Sequence, residues 1–501
     1  MLLKKVVQLY SRFEQVRVLY TAKALLGAGN MGDKRELEIA YTRCKESLMG
    51  AIEQLQVKAE LTQLENIAEL ITQTMTGQWR YFHTTEHIFE VGGSVDPLEI
   101  LAALFHDMVY VQVDHGVSLN IGSYITPFIK EVKGQIVIRE ANELPDSVMF
   151  EIVAAVFGFA PGQALSPFNG QNEFLSALIA ALTLSPLLSK AQIAQIAACI
   201  EATIPFRSLS PSGLSPGELL YQRLVIVNKQ FNLEWDDAQL VEVVKRSVRV
   251  TNRDVENFAY SNSADFLDNT WNLMPETNHE LTNVNSSYTV AEYRWSLQKM
   301  EGFMNFLSPE RVFQQFRGEP DEETYCQLLS RTSKNLEVAK LYLGCKLVSI
   351  GVIEALSTRL GRDIPVSTMM GELPTSQIKT PALVNFLPNI ECFKEPETEV
   401  ETEVLELLSK GRNQDSPYDL KNSPIATFMV KSIGFVEMKY LIERAKEFFA
   451  GKITASEFLS DCNADVVKAI ALGVGQLFES RARYITSILQ VNTHPYATPK
   501  S

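Results

Sequence analysis

Apolar residues recur three and four positions apart along nearly the whole chain, and that spacing limits most severely what it can fold into. Leu37, Ala40, Tyr41, Cys44 and Leu48 share one helical face, as do Leu61, Leu64, Ile67, Ala68 and Ile71. Ile193, Ile196, Ala197 and Ile200 repeat the pattern, and Leu336, Ala339, Leu343, Leu347 and Ile350 carry it on. Segments 434–450 and 464–489 do likewise, whereas the period-two alternation of a strand is scarce. Breakers separate these runs at Gly92-Gly93, Pro161-Gly162, Ser166-Pro167, 208–217 and Gly318-Glu-Pro320. The expected fold class is therefore all-α.

With 501 residues the chain exceeds what one hydrophobic core usually covers. We place an N-terminal helical segment at 1–55 and a central domain at 56–285. A C-terminal helical region follows at 286–501, divided by an irregular, proline-containing stretch at about 360–425. Inside that stretch Glu395-Pro-Glu-Thr-Glu-Val-Glu-Thr-Glu-Val404 reads as a solvated linker or a helix start.

Composition narrows the partners. Sixty acidic residues against 46 basic ones give a net charge of −14, and no basic run of five occurs, so neither nucleic acid nor an anionic membrane is an expected partner. The longest uncharged apolar stretch, from Phe174 to Leu188, is shorter than the roughly 18 to 20 residues of a membrane helix and contains Pro186. The first ten residues read as an amphipathic helix and not as a signal peptide. Six scattered cysteines without a CxxC pair suit reduced thiols. These features together lead us to expect a cytoplasmic protein.

Gly27-Ala-Gly-Asn-Met-Gly32 matches the dinucleotide fingerprint GxGxxG. That motif works only behind a strand and ahead of a helix that receives the pyrophosphate. Here Val16 to Leu26 reads as a helix, so the glycines are expected to form a helix end and a loop before Asp33.

Histidine is scarce, and its placement is the informative part. Two of the six histidines, His83 and His87, stand four apart in Tyr81-Phe-His-Thr-Thr-Glu-His-Ile-Phe-Glu-Val91. If that stretch is helical, the two share a face. A third, His106, directly precedes Asp107 at the end of a segment that Asp96-Pro97 opens as an N-cap and first-turn pair. Leu98, Ile100, Leu101, Ala103, Leu104 and Phe105 make this helix apolar almost all round, hence buried. A buried carboxylate is costly unless it is paired or bound to a metal. Imidazole and carboxylate together suit a divalent ion such as manganese, iron, cobalt or zinc.

These residues resemble the HD-domain metal-dependent phosphohydrolase superfamily over residues 60–275. Arg80-Tyr-Phe-His-Thr-Thr-Glu-His-Ile and Ala103-Leu-Phe-His-Asp-Met-Val-Tyr110 are similar to two motifs of one predicted phosphohydrolase branch. Val113-Asp-His-Gly-Val-Ser-Leu-Asn120 is similar to a run in cyclic-nucleotide phosphodiesterases. The resemblance implies an HD-like helical bundle with added N- and C-terminal helical regions. It implies metal ligation by His87, His106 and Asp107, with His83 either protonating the leaving group or serving as a ligand itself, and Asp107 able to bridge two ions. A later aspartate closes the set; Asp254 is our choice, with Asp265 and Asp268 as competitors. Glu201 stands behind the site, faces a second metal, or pairs with Arg207. Thr84 departs from the family's asparagine, Asp114-His115 lies further from Asp107 than in the phosphodiesterases, and no lysine follows the dyad.

The implied activity is hydrolysis of a phosphomonoester or phosphodiester, with a small phosphorylated substrate of nucleotide type and one or two divalent ions (Mn, Fe, Co, Zn or Mg). Arg80, Arg207 or Arg253 could grip the phosphate. Two alternatives stay open: a di-iron oxygenase on the same frame, in which His115 would serve, and a non-catalytic scaffold with a degenerate site. The 286–501 region leaves surface for self-association or a protein partner.

Overall fold

In a computed structural model of the chain the described residues are 31–282, 288–358, 365–370, 382–392, 394–414, 416, 418–477 and 484. The helix expected at the N-terminus lies outside them up to residue 30, as do the first four residues of the Gly27–Gly32 motif. The fold is all-α. The only sheet among the described residues is an antiparallel hairpin of β1 (Ile129–Val132) and β2 (Gln135–Ile138), with Ile129 opposite Ile138. Its two-residue turn, Lys133-Gly134, holds φ at 52° and 79°, the left-handed pair that matches strand twist.

Backbone contacts divide the chain into two units. The first takes the described residues of Met1–Gln78, His83–Val109 and Val117–Ile200; the second takes Trp79–Phe82, Tyr110–Gly116 and Glu201–Ser501.

In the first unit α1 (Met31–Gln54) packs on α2 (Leu61–Met75). It buries Ala40, Cys44 and Leu48, the face read from the sequence, although Leu37 at its start is exposed. Then come α3 (Thr85–Gly92), α4 (Pro97–His106), α5 (Leu119–Ile125), α6 (Val148–Phe157), α7 (Gln171–Leu184) and α8 (Lys190–Ala202). Asp96 caps α4 by accepting from the N–H of Leu98 (2.9 Å) and of Glu99 (3.4 Å). Every residue of α4 from Leu98 to His106 is buried, with α1, α3 and α7 around it. The apolar stretch at 174–188 is also core: α7 is buried from Phe174 to Ala181 and ends before Pro186.

The second unit begins with α9 (Pro216–Phe231) and α10 (Asp237–Asp254), each opened by a capping box in which side chain and N3 residue exchange hydrogen bonds. The short α11 (Ser263–Trp271) and α12 (Leu273–Thr277) precede α13 (Val290–Phe306) and α14 (Pro309–Val312). The 36-residue α15 (Glu322–Ser357) is the axis of this unit; α13, α17 (Glu399–Lys410) and α18 (Pro424–Phe449) pack along it, and α16 (Val366–Met370), α19 (Ala455–Asp461) and α20 (Ala464–Leu477) complete the set. The acidic repeat runs into α17, which Thr398 caps.

A charged cluster lies inside this unit, and nothing in the sequence pattern announced it. Asp419 accepts from Lys346 Nζ (3.0 Å), Trp271 Nε1 (2.9 Å), Tyr293 Oη (2.7 Å) and Arg412 (3.3 Å). Arg412 also reaches Asp268 at 3.1 Å while its guanidinium lies over the Trp271 ring, 4.2 Å from the centroid. Two cations and two anions cancel, and hydrogen bonds satisfy the carboxylates, which is what burial of charge demands. No helix among the described residues is long and apolar enough to cross a membrane.

Candidate metal centre

Three of the expected residues meet within the first unit. His106 ends α4 and is buried; Asp107 caps that helix with φ −106° and ψ 15°. His87 lies in the first turn of α3, the helix that packs against α4, and its ring centroid is 5.4 Å from that of His106. Asp107 Oδ2 lies 3.1 Å from His106 Nε2 and 3.4 Å from His87 Nε2. Apolar packing aims these groups: Ile88, Val91 and Leu101 are buried around the histidines' helices, and Val109 N–H donates to Ser176 Oγ (3.0 Å), tying the segment after the dyad to α7.

The tautomer of His106 follows from its other nitrogen. Nδ1 is 2.7 Å from the carbonyl oxygen of Ala103. A carbonyl oxygen can only accept, so Nδ1 carries a proton, and in the neutral ring Nε2 then presents a lone pair. That lone pair faces a carboxylate oxygen. The arrangement is attractive only with a cation near both, either a second ring proton or a metal ion. A histidine that donates one nitrogen to a backbone carbonyl and turns the other to the site is the usual arrangement of a metal ligand. Ligands on a shared ion at roughly 2.0–2.2 Å stand about 3 Å apart. The donor set therefore fits a divalent ion of imidazole and carboxylate preference.

Charge at the site agrees. Burial pushes the Asp107 carboxyl up, but His106 and His83 outweigh it together with hydrogen bonds from His106 and His87, and they hold it well below the ordinary carboxylate range.

His83 departs from expectation in conformation. The helix begins at Thr85, not at 83, and Thr84 is extended ahead of it. The N–H groups of Tyr81 and Phe82 donate to Glu276 Oε1 at 2.7 and 2.8 Å. The His83 ring still meets that of His87, edge to face, at 5.9 Å.

Apart from Asp254, several residues singled out from the sequence bind partners of their own. Asp254 is the last residue of α10, in the second unit, and is partly exposed. Its competitor Asp268 is drawn into the buried cluster, where it binds Arg412 and the N–H groups of Asn413 and Gln414 (2.8 and 3.0 Å). Asp265 accepts from Asn413 Nδ2 at 2.6 Å. Glu201 is buried and held by Arg207 (2.7 Å) and by Arg223. Arg80, buried, forks Asp114 at 2.6 and 3.1 Å. Arg80 and Arg207 thus both already hold a carboxylate. Arg253 is in the last turn of α10. His115, with φ 56°, touches His279, a residue that the sequence reading passed over because 164 positions separate the two.

Comparison with protein-family models gave no match, and neither did comparison with curated proteins or with solved structures.

Proposed function

We propose that this chain is a metal-dependent phosphohydrolase with an HD-like site, acting on a small phosphorylated substrate of nucleotide type. The observation that carries the reading is the pair of imidazole Nε2 atoms, on His87 and His106, turned towards one carboxylate oxygen of Asp107 while Ala103 fixes the His106 tautomer. His87, His106 and Asp107 would hold a divalent ion, and Asp254 keeps the role of a further ligand that the resemblance gives it.

When bound, a divalent ion would lower the pKa of water towards neutrality, so making hydroxide available, and would offset phosphoryl charge. The chain's own residues divide the remaining work. The surrounding imidazoles hold the Asp107 carboxyl low, which favours its charged form. His106 is fixed in one tautomer by the Ala103 carbonyl. His83, ahead of α3 and partly exposed, is the group we assign to proton donation to the leaving alkoxide.

The test is phosphatase and phosphodiesterase screening of the manganese-loaded chain beside His106→Ala, Asp107→Asn and Asp254→Asn, with metal content measured in each. Activity and metal lost together in the first two variants support the reading. Equal activity in wild type and both variants overturns it. Metal retained with no hydrolysis of any phosphoester marks the site as structural.

A further inference from the structure

We propose that His115 and His279 form a second metal site, which takes a late first-row ion such as nickel, copper or zinc between their imidazole nitrogens. It shares no residue with the α3–α4 cluster and does not depend on the function proposed above.

The chain has six histidines, and two from distant positions meet in the second unit. His115 Nε2 and His279 Nδ1 are in direct contact, with ring centroids 4.2 Å apart and planes at 73°. Two lone pairs aimed at one another repel, as do two N–H groups, so the contact needs a single shared proton or a cation. Imidazole is the side chain that nickel, copper and zinc ions favour. Bond lengths of roughly 2 Å to each nitrogen call only for a modest opening of the rings.

The surroundings favour a cation. Asp114 adjoins His115, and Glu276 lies close enough to His279 to bias its charge, together with Asp114. Both carboxylates are already fixed, Asp114 by Arg80 and Glu276 by the N–H groups of Tyr81 and Phe82, so they supply negative potential without needing to ligate. His115 is exposed, so an ion can reach the pair from solvent. It also holds a left-handed backbone, with φ 56°, that non-glycine residues seldom adopt.

Trp79 supplies a reporter. Its ring stacks on His279 at 4.6 Å and meets His115 edge-on at 5.9 Å. Nickel(II), a paramagnetic ion, bound between the imidazoles would quench it.

The experiment titrates nickel(II) into the full chain after chelator stripping, with binding followed by equilibrium dialysis and by tryptophan fluorescence. A His87→Ala/His106→Ala background removes the other cluster. In that background we expect one nickel ion per chain with quenching. His115→Ala or His279→Ala should weaken binding by more than the tenfold to hundredfold that loss of an outer-shell partner costs. Trp79→Phe should bind the ion with the quenching largely gone. If an alanine variant loses helical circular dichroism, His115→Gln and His279→Gln take its place. No ion bound in the background, or unchanged affinity without either histidine, overturns the proposal.

Discussion

Arg412 Nε lies 3.1 Å from Asp268 Oδ1, and both side chains are almost wholly shielded from water, at 1% and 6% exposure. The two residues stand 144 positions apart, and neither is on an apolar stripe that would have flagged it. The chain reaches this geometry through Gly411, whose φ of 99° turns the backbone at the end of α17 and sends Arg412 inward. Asp419, Lys346, Trp271 and Tyr293 then complete a neutral cluster.

Because the cluster is balanced, removal of one member is more damaging than its net worth suggests. Arg412→Met leaves Asp268 and part of Asp419 buried without their cation, and a broken buried pair costs about 3–5 kcal/mol. We expect the free energy of unfolding to fall by that much. The double variant Asp268→Asn/Arg412→Met should lose less than the sum of the two single changes. A shift under about 1 kcal/mol for Arg412→Met shows that the pair contributes little.

Acid should reveal the same cluster. Burial pushes the Asp419 carboxyl up, but Lys346, Arg412 and the Tyr293 hydroxyl outweigh it, so its folded value lies below the ordinary one. A depressed carboxylate stabilises the fold above the unfolded value, near 3.9, and that stability is lost as pH falls through the folded value. Asp268 works in the opposite direction: burial raises it despite Arg412, so its contribution is full at low pH and declines as pH rises through its folded value. Melting temperature should therefore show an acid loss below about pH 4 that Asp419→Asn removes and Asp268→Asn does not. An unchanged acid limb in Asp419→Asn contradicts this assignment.

Metal removal should act on stability as well as on activity. An ion that binds only the folded chain at a hundred times its dissociation constant adds about 2.7 kcal/mol. Chelator treatment should lower the melting temperature, and manganese should restore it in wild type but not in His87→Ala/His106→Ala. A melting temperature indifferent to both treatments counts against a divalent ion at His87, His106 and Asp107.

The sequence carried its local information well. The Asp96-Pro97 start of α4, its burial on every side and the placing of His106 beside Asp107 at its end all follow from neighbours within one or two turns. The start of α3 at Thr85, behind an extended Thr84, did not. The hairpin at 129–138 was readable in principle from Lys133-Gly134 between Val132 and the alternating Ile136 and Ile138, but four-residue strands give too short a period to stand out. The His115–His279 contact and the charged interior have no sequence signature at all. Each joins residues more than 70 positions apart through side chains that, read singly, look like surface polarity.

Thiol reactivity offers a check on burial that is independent of any metal. Cys44, Cys345 and Cys462 are buried, and desolvation pushes each thiol up to about 12. Cys199 is buried as well, whereas Cys326 is exposed and Cys392 partly so. Only the thiolate attacks a disulfide reagent, so a buried, high-pKa thiol is inert on two counts. With an aromatic disulfide reagent at pH 8, native protein should release about two equivalents quickly, from Cys326 and Cys392, and all six only after denaturation. Cys326→Ser and Cys392→Ser should each remove one of the fast equivalents. Four or more fast equivalents in native protein would mean that the shielded thiols, on α1, α8 and α15 and at the end of α19, open readily to solvent.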